Sequence, residues 1–297
     1  MTAAGKHIRI DGRLIRVARL DAEKYEFLDD PAQTVADLRR LRERIDLFTF
    51  LPRLSDPPQT FPARVESDNL AVLTISSFQE WWTTRINNKT RNMIRRAEKH
   101  GVTVGEVPFD DALVDGIWRL YNETEIRQGK RFAHYGKDRE TVRTMSATYL
   151  EKSIFIGAFA NGVLVGFAKL VVDNHGLQAG LMHILASVAE RDKAPANALI
   201  AEAVRACASR GISHLVYSHF SYGKKERDSL SDFKEHNGFE RMEIPRYFVP
   251  LTQTGAVALR LKAHHRVSER VPEGVLRPIR RLRRLWLANA TRVRQAS

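Results

Sequence analysis

Residues 153–173, SIFIGAFANGVLVGFAKLVVD, constrain the fold more than any other stretch of the chain. Two arms rich in branched and aromatic side chains meet at Asn161-Gly162, a dipeptide suited to the positive φ angles of a tight hairpin turn. Each arm is apolar almost without alternation, so neither face suits water. Such a hairpin belongs inside a larger sheet with layers packed on both sides.

The flanking segments supply that sheet and its cover. Residues 176–188 read as a third strand and 194–211 as a helix opened by Pro195 and closed by Gly211. Residues 212–220 read as a strand, 228–239 as a short helix ended by Gly238, and 240–251 as a last strand. Upstream, INNKTRNMIRRAEKHGVTV (86–104) crowds cations into a helix that Gly101 stops, with a strand from Val102. The spacing predicts helices over 109–129 and 138–152. From residue 100 the order is β, α, α, β, β, β, α, β, α, β, which calls for a mixed sheet with helices on its faces.

The first hundred residues are less regular. Asp11-Gly12 sits between β-rich arms (8–20). Val35, Leu38, Leu41 and Ile45 keep helical spacing through PAQTVADLRRLRERIDLF, and LPRLSDPPQTFPARVE (51–66) carries four prolines. NLAVLTI (69–75) reads as a strand, and the helical stretch after it is interrupted near Asn87-Asn88. The expected division is an N-terminal extension (1–66), a main domain (67–254) and a basic helical tail (255–297).

This succession resembles the GNAT superfamily of acyl-CoA N-acyltransferases over residues 100–251. KTRNMIRRAEKHGVTV followed by IWRLYNETEIRQGKRFAHY is similar to a segment of the Fem peptidyltransferases and related FemAB-like proteins. FKEHNGF and PRYFVPL resemble the end of such domains. The expected fold is thus a GNAT-like mixed β-sheet flanked by helices, in the α/β (α+β) class, with residues 1–66 an extension or a trimmed GNAT-like half. One departure stands out. The family's acyl-CoA loop usually reads Arg/Gln-x-x-Gly-x-Gly/Ala, whereas RDKAPANAL (191–199) has no glycine.

The resemblance implies a donor held where the strands flanking the Pro195 helix splay apart. Leu185, Ser187, Val188, Arg191, Lys193, Ala194 and Asn197 then bind acyl-CoA, acetyl or longer, as donor substrate. A base takes a proton from an amine acceptor, and an acid protonates the leaving group. His183 is the candidate base and Tyr222 or Tyr217 the candidate acid, each also readable as a packed structural side chain. Arg127, Gln128, Arg131, His134, Tyr135 and His219 are the candidate substrate contacts. Within that group Glu123 or His134 offers another base, although Glu123 and Arg127 are i,i+4 partners that suit a simple ion pair. Arg91 and Asn92 are read as bracing the approach to the cleft, Arg91 through ion pairs or a phosphate.

Charge separates the rivals. The formal net charge is +13, and residues 255–297 alone carry +9. Residues 276–294 place Ile279, Leu282, Leu285 and Trp286 on one helical face among arginines. Such a helix suits an anionic membrane surface, tRNA phosphates or the protein's own core, so residues 264–297 are a candidate for the first two. A lone Cys207, no metal-ligand spacing, no nucleotide-binding glycine motif and no long apolar run point away from disulfide-built, metal-dependent and membrane-spanning classes. The expected location is cytoplasmic, with a peripheral position at the inner membrane face allowed by the tail. Three readings remain. The first is an N-acyltransferase with direct attack on a thioester. The others are a Fem-like transferase using aminoacyl-tRNA on an envelope precursor, and a non-catalytic module anchored by its tail.

Overall fold

The computed structural model describes residues 2–3, 5–23, 25–57, 62–127, 129–221 and 229–264. Gln128, Tyr222 and residues 265–297 of the tail lie outside the described residues.

Strands β1 (Thr2–Ala3), β2 (Lys6–Asp11) and β3 (Val17–Leu20) come first, and the last two form the hairpin foreseen around Asp11-Gly12. Helix α1 (Pro31–Arg40) starts at Asp30, whose carboxylate accepts from the Gln33 amide, with Pro31 in the first turn. It ends sooner than the periodicity predicts. Leu47–Phe50 is instead a fully buried strand, β4, parallel to β3. Burial on both faces removes the alternation that would mark it as a strand.

Next come β5 (Arg64–Thr74), α2 (Phe78–Glu80) with a π-helical turn at Trp81–Arg85, α3 (Asn88–Lys99) and β6 (Val102–Glu106). The break falls at the asparagine pair as expected, and Asn87 caps α3 by accepting from the Thr90 amide. Arg91 donates to the carbonyls of Trp82 and Ile86 at 2.6 and 2.7 Å. That cation therefore braces the break through carbonyl oxygens, where a salt bridge or a phosphate was expected. Gly101, at φ 73°, ends the helix.

Helix α4 (Asp111–Asn122) is shorter than 109–129, because the chain turns into a small hairpin, β7 (Ile126–Arg127) and β8 (Lys130–Arg131). Then follow α5 (Arg139–Ser146), β9 (Ser153–Ala160), β10 (Val163–Val172), β11 (Gln178–Ala186), α6 (Pro195–Ser209), β12 (His214–Val216), α7 (Ser229–His236), β13 (Glu240–Pro250) and α8 (Gln253–Arg260). Asn161 and Gly162 both take positive φ at the β9–β10 turn.

Among the described residues eleven strands form one sheet in the order β1-β2-β3-β4-β13-β5-β12-β11-β10-β9-β6, with β3–β4 and β11–β12 parallel and β7–β8 a pair apart. β13 joins the N-terminal strands to the rest by pairing with β4 on one side and β5 on the other. The expected boundary at 66/67 falls inside β5. The one at 254/255 falls inside α8, whose Ala258 and Leu259 pack on Leu47 and Phe248.

Helices cover both faces. α6 packs Leu199, Ile200 and Val204 against Ala168, Leu170 and Ala179. On the other face α4 lays Ile117, Leu120 and Tyr121 over Phe155 and Phe167. Burying a side chain of that size contributes about 2 kcal/mol. No described helix is long and apolar enough to cross a membrane.

Candidate active site

β11 is the strand on which the site turns. Its first residues pair with β12 at Gln178↔His214, Ala179↔Leu215 and Gly180↔Val216, and there the pairing stops. β11 continues to Ala186 along β10 alone. The chain after Val216 follows β5 instead: the Tyr217 amide donates to Ala71 O, and the Ala71 amide to Ser218 O. Of the stretch 212–220 expected as a strand, only three residues pair with β11. The sheet forks at Gly180/Val216, and the start of α6 follows the free end of β11.

The fork exposes backbone. The Ser187 amide donates to Val165 O, so the Gly166↔Ala186 pair is one whose own amides and carbonyls turn away from each other. By alternation Ala186 and Ile184 aim their N–H and C=O groups into the fork, while Leu185 bonds to β10. On the face opposite α6, Gly180 and Leu181 on one branch and Val216 and Ser218 on the other line a narrow pocket walled by Tyr25 and Phe27.

At the far end of β11 the expected site residues are brought together, but their polar groups are taken up by the fold. Arg127, largely covered, donates to Ala186 O at 2.8 Å, Leu120 O at 2.9 Å and Glu123 at 2.8 Å, with its guanidinium over the Phe132 ring. The carboxylate of Glu123 accepts from Ser187 Oγ at 2.6 Å and from the Val188 and Ala189 amides at 2.9 and 3.0 Å. Burial pushes the Glu123 carboxyl up, and the bonds from Ser187, Ala189 and Val188 with the nearby Arg127 charge more than reverse this, holding it below its usual range. Glu123 is thus a loop anchor where a base was expected, and Arg127 a bracket where a substrate clamp was expected. Arg131 pairs with Glu125 in solvent, and Tyr135 is exposed.

His183 occupies the unzipped stretch of β11 and faces α4. Its ring lies 6.0 Å from that of His134, which stacks on Tyr121 at 4.5 Å. Burial, with His134 and Lys169 nearby, draws the His183 imidazole down to about 4. Burial and Lys137 lower His134 as well. Both rings are neutral at pH 7. Lys169, opposite His183 in register, is buried beneath α5 and donates to the carbonyls of Ser146 and Thr148; burial lowers its amine to about 8. Neither the Lys169–His183 contact nor the Tyr121–His134 stack is visible in sequence order.

The remaining candidates scatter. Tyr217 packs edge-on to Phe239 beneath the Lys234 amine, on the α6 side. His219 points to the opposite face and pairs with Asp68 at 3.1 Å, in a chain that runs through Arg246 to Glu23 beside the pocket. The two side chains therefore do not share the face that strict alternation predicts. Burial raises Asp68, and His219 and Arg246 overcome it, lowering the carboxyl to about 2. In the loop before α6, Ser187 also accepts from the Glu190 amide, Lys193 pairs with Glu190, and Arg191 is exposed. Ala194 is a buried N-cap at φ 54°, and Asn197 donates to the buried Asn237 at 3.2 Å. Leu185 packs into the α4 cluster. Glu123 thus holds two amides and the hydroxyl of residues 187–189, which precede the stretch 191–199 read as the counterpart of the acyl-CoA loop. Among the described residues no cluster of His, Cys, Asp and Glu could hold a metal ion.

No protein-family model matches the sequence, and no curated protein sequence matches it. Solved structures do. The C-terminal DUF2156 domain of a protein named as a lysylphosphatidylglycerol synthetase from Agrobacterium fabrum superposes with a TM-score of 0.58 at 15% identity. That match covers 88% of this chain and 86% of that one. FemX matches with a TM-score of 0.61 at 9% identity, over 86% of each chain. L-PGS from Bacillus licheniformis matches with a TM-score of 0.57 at 13% identity, over 89% of each. At such identities the likeness is one of fold, and the fold is the GNAT-like one that the resemblance implies, with FemX among its neighbours.

Proposed function

We propose that this chain is a transferase that moves an activated acyl group to an amine at the fork between β11 and β12. The observation that carries the reading is the fork itself: three paired residues, then an unpaired strand edge leading to the start of α6. An acyl carbonyl laid along that edge has the Ile184 amide as a donor for its developing oxyanion. The free amine attacks, and His183, neutral at pH 7, takes a proton from its nitrogen as the N–C bond forms. The bond from carbonyl carbon to the leaving oxygen or sulfur breaks, and His183 passes that proton to the leaving group.

An aminoacyl ester is the donor these features favour. The stretch 191–199 has none of the glycines of the family's acyl-CoA loop, and the sequence resemblance to Fem proteins, which take aminoacyl-tRNA, agrees with the fold likeness to FemX. In this reading the cations of residues 265–297 serve tRNA phosphates. Acyl-CoA is the second reading, favoured by the Ile184 amide and carbonyl and the Ala186 amide, which no strand pairs and which suit a donor arm that itself contains amides.

The test is transfer by the full chain from labelled aminoacyl-tRNA and from labelled acyl-CoA to a panel of amines, including amino-terminated peptides and aminolipids. Transfer from aminoacyl-tRNA, with kcat lowered at least about tenfold and KM little changed in His183→Gln, is the expected result. No transfer from either donor to any amine would overturn it.

A further inference from the structure

Helix α3 carries a charge that neither the fold nor the fork uses. Residues 88–100 hold five Lys/Arg and one Glu. Arg91 is spent on the carbonyls of Trp82 and Ile86, and Arg95 lies over the Trp82 ring. Lys89, Arg96 and Lys99 are exposed, and among the described residues none of them has an ion-pair partner. Steps of three and four residues put Lys89, Asn92, Arg96 and Lys99 on one side of the helix, over about 15 Å of its length. Thr90 and Ala97 bury the opposite side. Glu98, the one acid, turns instead to the groove beside Phe78 and Trp82.

Helix stability does not account for the whole row. Cations in the last turn suit the carbonyl end of the dipole, which covers Arg96 and Lys99. Lys89 stands in the first turn, where a cation opposes the dipole, and no acid in that turn offsets it. The helix bearing the row is firmly seated. Asn87 caps it, and Thr90 Oγ1 donates to His236 O at 2.8 Å. It packs along α6 and against the turn Arg191–Lys193, so it stands beside the chain that enters α6. Arg191 is exposed there and likewise has no ion-pair partner among the described residues.

We propose that the outer face of α3, with Arg191, binds the sugar–phosphate backbone of an RNA, which on the transferase reading is the donor tRNA. Lys and Arg side chains along one line neutralise successive phosphates and release their counterions, without reading sequence. An anionic bilayer fits less well, because a helix lying on lipid needs exposed apolar side chains and α3 exposes none. The partner's identity rests on the transferase reading, but the test reads binding of deacylated tRNA, which needs no transfer.

Fluorescence anisotropy of labelled deacylated tRNA with the full chain, from about 50 to about 200 mM salt, gives the affinity and its salt slope. The tail stays in place, so the comparison isolates α3. Lys89→Gln/Arg96→Gln/Lys99→Gln should weaken binding at least about tenfold at the lower salt and reduce the slope by about 2 to 3. Arg13→Gln/Arg39→Gln/Arg42→Gln removes the same charge from exposed side chains at the other end of the sheet, around the β2–β3 turn and the end of α1. It should bind as the wild type does. Equal losses in the two variants, an α3 variant that binds tRNA like the wild type, or a wild type that binds no tRNA would each overturn the proposal. So would an α3 variant that keeps tRNA and loses anionic phospholipid vesicles, which would make α3 a lipid contact. A chain that binds tRNA through α3 and transfers no acyl group would sink the transferase reading and leave this surface standing.

Discussion

β11 is held at each end by a covered arginine, and the two are used differently. At its closed end Arg53, 5% exposed, faces the carboxylates of Asp29, Asp56 and Asp173. Asp173 also accepts from the Leu177 and Gln178 amides, and Gln178 accepts from the Leu54 amide, so this end ties the N-terminal segment to the β10–β11 turn. At the open end Arg127 gives two of its bonds to backbone carbonyls and one to Glu123. The first arrangement neutralises buried acids and closes the sheet. The second satisfies the Ala186 carbonyl at the unpaired end of β11 and the Leu120 carbonyl near the end of α4, and through Glu123 fixes the loop ahead of α6. A forked sheet needs the second kind of clamp because the missing strand leaves acceptors that something else must meet.

Arg53→Met separates the two ends most strongly. It strands acids that include the nearly inaccessible Asp173, and it should cost about 3–5 kcal/mol in urea unfolding. A cost below about 1 kcal/mol would erase the distinction drawn here. Arg127→Met should cost less, roughly 2–3 kcal/mol, from two unmet carbonyls and an uncompensated Glu123. Its hydrogen exchange should quicken over residues 184–190 and stay unchanged around Asp173.

The ends should also part in pH. His183 has a folded pKa lowered to about 4, so the unfolded chain takes up that proton first as pH falls. Its contribution is whole above about pH 6.5 and is lost progressively down to about pH 4, an effect of about 3 kcal/mol that His183→Gln should flatten. Asp29 at the closed end is lowered, chiefly by its bond to Arg53. Its contribution is present above the usual aspartate pKa and is lost only as pH falls below it. A single unfolding midpoint that declines only below pH 4 would contradict the account of His183. The smallest effect belongs to Arg131→Ala, an exposed pair with Glu125, expected to change stability by no more than about 0.5 kcal/mol.

Much of this architecture is legible in the residues, because the signals are local. Asn161-Gly162 fixes the hairpin, Pro195 and Gly211 bound α6, and Gly101 stops α3. The misplaced elements fail for nonlocal reasons. Leu47–Phe50 carries no alternation since both of its faces are buried, and the stretch after Val216 changes neighbour from β11 to β5, which no pattern in one strand records. The site was legible in location more than in role. Glu123 and Arg127 bond to the end of β11 and the loop after it, and His183 lies three residues before that end. What each does depends on where β11 ends relative to α4, a distance in space that the sequence does not display. The contribution of Lys169 beneath α5 was hidden for the same reason, since a lysine inside an apolar arm looks like any solvated end.

The fork itself can be read directly at two neighbouring amides. In hydrogen exchange followed by NMR, the Leu185 amide, bonded to β10, should be protected, while that of Ile184, aimed into the fork, should exchange at least about tenfold faster and slow when a donor is added. Equal and strong protection of both amides in the free protein would mean that β11 is zipped on both sides, and would contradict the account.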